Sequence, residues 1–320
     1  MKKLVLAAML AASPIAAYAA AADPQPEGWQ PAAGFVQVPL WPEGLAIARP
    51  ETQDKETVVV GGGSIAGRPV TAIRNVSRPT MTIYPARGRN TGAAVLVFPG
   101  GGYQILAIDL EGTEVCDWAT AVGITCAVLK YRVPQTWWPK DCDHCTRQPD
   151  PFLPLQDAQR AMGLLRERAA SLGIDPHKIG VVGFSAGGHL VTAISNATGR
   201  SYARVDAADE QSARPDFAIA LYPGHLWYNS GLDLLPFDRV VADAPPSFIV
   251  QAEDDPVDDV RNSIVYFLAL KQMKVPVEMH LYAHGGHAFG LRPTAIPITH
   301  WPVLAERWLH TIGILSGSGR

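Results

Sequence analysis

The chain has 320 residues, 48% of them hydrophobic and 18% charged, which excludes an intrinsically disordered chain and supplies material for a large core. Its 27 basic and 30 acidic residues leave a formal charge of −3, so no basic field is present to hold nucleic acid or an anionic membrane surface. The length suits one large α/β domain or two small ones, and with no internal repeat or low-complexity linker the reading is one.

Lys2 and Lys3 precede an apolar run from Leu4 to Leu10, and Ala17-Tyr18-Ala19 has the small-x-small pattern that a signal peptidase reads. This predicts a signal peptide over residues 1–19 and a periplasmic or secreted mature protein. The run is too short to span hydrocarbon and is broken by Pro14, so no stable membrane insertion is expected after cleavage. Residues 20–68 are rich in Pro and Gly, with Gly61-Gly62-Gly63 read as a loop. They are taken as an N-terminal extension wrapping a catalytic domain over 69–320.

From there strands and helices alternate. Val70–Val76, Thr80–Tyr84 and Ala93–Phe98 read as strands, Glu111–Val122 as a helix, and Ile124–Tyr131 as a strand. Helical periodicity over Leu155–Leu172 leads to an apolar strand at Lys178–Phe184 and a helix at Ala186–Asn196. Strands at Phe217–Tyr222 and Ser247–Gln251, a helix at Val260–Met273, a strand at Val277–Tyr282 and a helix at Val303–Ile314 complete the order. Fully apolar strands between amphipathic helices imply an α/β fold, a mostly parallel central sheet with helices on both faces.

Export gives the four cysteines a meaning, because an oxidising compartment lets Cys116, Cys126, Cys142 and Cys145 form two bridges whose pairing the sequence leaves open. Cys142-x-x-Cys145 encloses His144, but no second C-x-x-C accompanies it and Trp137–Asp150 is loop-like. A local disulfide or idle thiols is therefore preferred to a metal or redox site.

Gly183-Phe184-Ser185-Ala186-Gly187 is a G-x-S-x-G at a strand–helix junction, where a tight turn strains the serine and projects Oγ above the sheet. A serine hydroxyl is a weak nucleophile at neutral pH and needs a base oriented by an acid. His287, in Gly285-Gly286-His287-Ala288-Phe289, follows a later strand and is the candidate base. The candidate acid lies in Glu253-Asp254-Asp255-Pro256, where Asp255 is favoured and Asp254 stays open. Both loops follow strand C-termini, where the crevice of a parallel sheet opens. Asp258 and Asp259 precede the helix at Val260 and read as capping residues. His280, His284 and His287 mimic metal spacing, but on a strand and loop they would not share a face, so no metal is assigned.

An oxyanion needs donors where charge develops. Pro99-Gly100-Gly101-Gly102-Tyr103 follows an apolar strand, and the amides of Gly101, Gly102 and Ala186 are the candidates. No P-loop or dinucleotide-binding glycine pattern follows this strand. Tyr103 adjoins the loop, either as a wall of the acyl pocket or as a gap filler. Trp137, Trp138, Trp227 and Tyr228 fall after strands, where flat rings either stack on sugar or feruloyl groups or pack a cap. Glu111 and Asp157 read as structural hydrogen-bond acceptors, and His189 as a packed helix residue.

From about Leu40 to Trp308 the chain resembles secreted α/β-hydrolase esterases of the acetyl xylan esterase and feruloyl esterase-like group. The resemblance rests on Leu40-Trp41-Pro42, P-G-G-G-Y at Pro99–Tyr103, Glu111-Gly112, Tyr131-Arg132, and Asp157 with Arg160-Ala161. It also rests on G-F-S-A-G-G-H at Gly183–His189, D-D-P-V at Asp254–Val257 and G-G-H-A-F-G at Gly285–Gly290. The first position of the oxyanion motif, often His in related hydrolases, is Pro99 here. The resemblance implies the α/β-hydrolase fold and carboxylic ester hydrolysis through an acyl-enzyme, with Ser185, His287 and Asp255 as the triad. It implies a small-molecule or polysaccharide ester as partner and no metal or organic cofactor. A peptidase of the prolyl oligopeptidase kind shares the triad order but normally carries a large accessory domain, and only about 70 residues precede the core strands. A catalytically silent binding protein is the third reading, disfavoured by the intact Ser, Asp and His set.

Overall fold

The computed structural model describes residues 28–52, 54–135, 152–227 and 231–316. In chain order the strands are β1 (Gln37–Pro39), β2 (Thr57–Ile65), β3 (Arg68–Arg74), β4 (Thr80–Tyr84), β5 (Ala94–Phe98), β6 (Ile105–Ala107), β7 (Thr125–Lys130), β8 (Ile179–Phe184), β9 (Ala218–Leu221), β10 (Ser247–Ala252) and β11 (Val277–Tyr282). The helices are α1 (Glu114–Ala121), α2 (Leu153–Glu167), α3 (Ala169–Leu172), α4 (Ala186–Asn196), α5 (Arg261–Gln272) and α6 (Trp301–Thr311).

Eight strands form one sheet in the order β1-β4-β7-β5-β8-β9-β10-β11. β1 and β4 pair antiparallel at one edge, and every pairing from β7 onward is parallel. All residues of β5, β7 and β8 are buried, as strands covered on both faces must be. α1 and α6 meet through Trp118 and Trp301, with ring centroids 5.4 Å apart, while α4 meets α5 through Asn196 Nδ2 and the Tyr266 hydroxyl at 3.3 Å. Among the described residues no helix is long and apolar enough to cross a membrane.

Two expectations for the N-terminal part are corrected. Gly61-Gly62-Gly63 is not a loop: it lies within β2, which pairs antiparallel with β3, with a register shift between Val60 and Ser64. Glycines mark a bulge here, and β-branched neighbours on either side keep the strand. The boundary at residues 68 and 69 falls inside this hairpin, and β3 continues to β6, so the supposed extension and the catalytic domain share a three-stranded sheet. The first helix also begins differently, because Asp109–Thr113 form a π-helical turn ahead of α1. The segment read as a signal peptide and the pair Cys142 and Cys145 lie outside the described residues. Cys116 on α1 and Cys126 on β7 form a disulfide.

The residues before β2 are tied to the core by buried polar groups. Asp157 on α2 accepts from the Arg132 amide at 2.9 Å, from Arg132 Nε at 2.9 Å and from the Trp41 indole at 2.8 Å. Arg132 and Asp157 are both fully buried, and burial pushes the Asp157 carboxyl up against the lowering effect of Arg132. Leu40 joins the main core, which runs through β5, β7, β8 and β9.

Candidate active site

The β8–α4 junction sets the nucleophile's geometry. Ser185 stands at φ +53°, a left-handed conformation that costs a non-glycine residue about 1–3 kcal/mol unless the surroundings impose it. Here they do. A Cβ on Gly187 would lie 2.0 Å from the Phe98 carbonyl oxygen, and one on Gly183 would lie 2.1 Å from the Gly187 carbonyl oxygen. The two glycines let β5, β8 and α4 close around the turn. The Ser185 amide donates to Leu221 O at 3.0 Å, so β9 fixes the same turn from the other side.

Three loops bring the expected residues together. His287 Nε2 lies 3.0 Å from Ser185 Oγ, and His287 Nδ1 lies 2.8 Å from Asp255 Oδ2. Asp255, completely buried on its side chain, also accepts from the amides of Val257 (2.8 Å) and Asp258 (3.0 Å) and from Gln251 Nε2 (3.0 Å). Asp254 has a different task. It accepts from the Gly285 and Gly286 amides at 2.9 and 2.8 Å and meets His284 Nδ1 at 3.2 Å, which ties the histidine loop down. Those bonds, the Gly286 amide first, hold its carboxyl below the usual range. The three histidines with metal-like spacing do not converge, because His280 pairs with Glu278 at 2.8 Å and each of the others with its own carboxylate. Among the described residues no group of three His, Cys, Asp or Glu is arranged to hold a metal.

Burial alone would lower the His287 pKa. The hydrogen bond and charge of Asp255, with the charges of Asp258 and Glu111, outweigh it and raise the pKa above the ordinary imidazole value. The Tyr222 and His287 rings meet at a steep angle with centroids 4.8 Å apart, and the Tyr222 hydroxyl donates to Glu111 Oε1 at 2.7 Å.

The glycine loop after β5 packs against the nucleophile. The Gly100 amide is taken by Glu111 Oε2 at 2.7 Å, whereas among the described residues no internal hydrogen bond takes the amides of Gly101 and Gly102. The Ala186 amide opens α4, where first-turn donors have no acceptor within the helix. These three amides are therefore not committed to an internal acceptor, as the oxyanion expectation requires. Glu111 is an acceptor, as expected, though it sits in the π-helical turn and anchors the loop rather than capping a helix.

One open alternative is decided and one assignment changes. Tyr103 does not present an open wall: its ring is wholly buried, and its hydroxyl lies 2.7 Å from His189 Nδ1, whose Nε2 meets Asp238 Oδ1 at 3.0 Å. It ties the glycine loop to α4, and His189 is a packed helix residue. Asp258 is not a helix cap. Its Oδ2 accepts from Ser185 Oγ at 3.2 Å and lies 3.8 Å from His287 Nε2. Burial pushes its pKa up to about 6, against the lowering charge of His287. Its neighbour Asp259 does bond the Arg261 amide at 2.8 Å at the start of α5. Trp227 has one face covered by the Arg261 guanidinium, 3.7 Å from the ring centre, and its indole donates to Gly231 O at 3.0 Å. Trp137, Trp138 and Tyr228 lie outside the described residues.

A parallel-centred sheet, a strained serine between strand and helix, and later loops carrying an acid and a histidine define an α/β-hydrolase. Residues 146–221 match the BD-FAE family. The chain is similar to an acetylxylan esterase of Xylanibacter ruminicola, 28% identical over 62% of this chain and 42% of that protein. It is also similar to an ethyl acetate hydrolase of Pseudomonas putida, 27% identical over 62% of this chain and 66% of that protein. The match thus spans less than half the length of the Xylanibacter enzyme. Among solved structures, the acetyl ester-xyloside bifunctional hydrolase of Caldicellulosiruptor lactoaceticus superposes with a TM-score of 0.66 at 29% identity, over 88% of this chain and 97% of that one. The resemblance to esterases of the acetyl xylan esterase-like group is therefore carried by sequence and by fold alike.

Proposed function

We propose that the protein is a carboxylic ester hydrolase acting through an acyl-enzyme, and that it deacylates carbohydrate esters. One observation carries the chemistry: Ser185 Oγ, His287 and Asp255 form a continuous chain of 3.0 and 2.8 Å contacts beside uncommitted glycine amides. Ser185 Oγ bonds to the acyl carbon as its proton passes to His287 Nε2. The carbonyl oxygen becomes an oxyanion facing the amides of Gly101, Gly102 and Ala186. On collapse the bond from acyl carbon to alcohol oxygen breaks, and His287 returns the proton to the leaving alcohol. Water then adds to the acyl-enzyme with His287 as base, releasing the acid and restoring Ser185. Asp255 keeps the Nδ1 proton in place and stabilises the imidazolium. The names of the Xylanibacter and Caldicellulosiruptor relatives support a sugar-ester substrate. The leader-like residues 1–19 support export, as does the Cys116–Cys126 bridge, which suits an oxidising compartment.

The test compares hydrolysis of p-nitrophenyl acetate, acetylated xylan and a proline-containing peptide amide by wild type and Ser185→Ala. Ester turnover that disappears in the variant is the expected result. Preferential amide cleavage, or ester turnover that survives the substitution, overturns the proposal.

A further inference from the structure

Asp258 is the polar group at the nucleophile that the acyl-transfer scheme does not use. The acid loop fixes it closely. Its amide donates to Asp255 Oδ1 at 3.0 Å, and its carbonyl accepts from Gln251 Nε2 at 3.0 Å. Gln251 in turn bonds Asp255 Oδ2 and accepts from Ser263 Oγ, so one small network sets the positions of both carboxylates. On its other side Asp258 fills the space over Gly224, where a Cβ would come within 2.3 Å of its Oδ1. The side chain keeps 15% of its surface exposed, as His287 does, so it borders the opening and is not sealed in the core.

The direction in which it points is informative. Asp255 binds Nδ1 of His287, whereas Asp258 Oδ2 lies on the Nε2 side, 3.8 Å from that nitrogen and 3.2 Å from Ser185 Oγ. It therefore cannot be the acid that orients the imidazole. The leaving alcohol must come within hydrogen-bond reach of Nε2 to receive its proton. Its oxygen and the carbons next to it then lie beside Asp258. The serine has a single proton, and when it turns toward His287 to react, Asp258 loses its donor. A simple alkyl group in that place would leave a carboxylate desolvated and unpaired, which is costly. A hydroxyl on the adjacent carbon would restore the bond.

We propose that Asp258 is a specificity-determining residue that accepts a hydrogen bond from a hydroxyl vicinal to the scissile ester, selecting monoacylated diols such as those of sugar rings over simple alkyl esters. The proposal rests on the esterase reading above and deepens it.

The experiment measures kcat/KM for the acetate of cis-1,2-cyclohexanediol carrying one free hydroxyl and for cyclohexyl acetate, which differ only in that hydroxyl. Wild type should prefer the diol ester. In Asp258→Val the preference should fall roughly 10- to 100-fold, the effect of losing one hydrogen bond to a charged acceptor. Asp258→Asn, which keeps an acceptor oxygen, should retain part of it. Gly224→Ala, which displaces the carboxylate without altering its charge, should move the ratio in the same direction as Asp258→Val. Thermal unfolding of each variant checks folding, and Asp258→Asn serves alone should the valine variant misfold. A ratio unchanged within twofold, or a wild type that hydrolyses both esters without preference, overturns the role of Asp258 and leaves the esterase reading standing. Failure of wild type to hydrolyse either ester overturns both.

Discussion

Replacing Glu111 by Gln tests how the glycine loop is held and how the base is tuned. Glu111 is 2% exposed and receives two donors, the Gly100 amide on Oε2 and the Tyr222 hydroxyl on Oε1, each at 2.7 Å. A carboxamide of the same shape has one acceptor oxygen. The Gly100 amide cannot turn round, so that oxygen must face it, which leaves the NH2 group against Tyr222. The tyrosine hydroxyl then rotates to accept and loses its own acceptor, in a place where the Gly290 amide already points at it from 3.4 Å. One hydrogen bond to a charged group is lost, which corresponds to about 1.5–3 kcal/mol. Urea unfolding should register this as a lower midpoint at constant slope. The second readout is electrostatic. Burial pushes the Glu111 carboxyl up, the two donors favour its anion, and that anion is one of the charges holding the His287 pKa up. The base works in its neutral form, so the acid limb of kcat/KM follows the His287 pKa. Removing the anion lowers that pKa, and the limb should move to lower pH. An unchanged urea midpoint together with an acid limb that stays put or moves upward would refute the reasoning.

Asp255→Asn should leave the imidazole with the wrong tautomer and reduce kcat by about 10⁴-fold, the loss seen for this substitution in a serine protease triad, measured on p-nitrophenyl acetate. Asp157→Asn should strand the Arg132 guanidinium, since the pair is 2.8 Å apart with neither side chain exposed, at a cost of about 3–5 kcal/mol in chemical denaturation. Replacing Cys116 and Cys126 together by Ala should cost about 2–3 kcal/mol, as expected for a bridge closing a short loop, with a matching loss of Tm. The wild type in reductant should approach the double variant, and a reduced wild type of unaltered Tm would show that the bridge adds nothing to stability.

The sheet was legible because its central strands carry no alternation. β5, β7 and β8 read as continuous apolar runs, and only two covered faces accommodate such runs. The short strands β1 and β6 gave no signal, since three residues are too few for a period to appear. The glycine triplet misled for a related reason: composition marks breakers, but it cannot register that β3 supplies ladder partners on both sides of a bulge. At the site, residue types whose chemistry is confined to a strand–turn–helix could be named from spacing. Asp258 could not. In sequence it is one of four aspartates before a helix, and capping is the ordinary use of such residues. What redirects it is the turn closed by Asp255 Oδ1 on the amides of Val257 and Asp258, together with room above Gly224. Tyr103 stayed open between pocket wall and gap filler, because nothing in the sequence shows that its hydroxyl meets His189 on α4.

The charges around His287 also bear on turnover. Three carboxylates, Asp255, Asp258 and Glu111, raise its pKa. The tetrahedral intermediate of ester hydrolysis is an ion pair of oxyanion and imidazolium, and these anions stabilise the imidazolium. The ester itself is neutral and gains little from them. After deacylation the balance reverses, because imidazole returns to its neutral form and the product is a carboxylate beside Asp258. Repulsion between these anions favours departure of the acid, so inhibition by added acetate should strengthen in Asp258→Asn, as read from the product inhibition constant at a pH above 6. A product inhibition constant unchanged by the substitution would remove Asp258 from this step and leave release to diffusion alone.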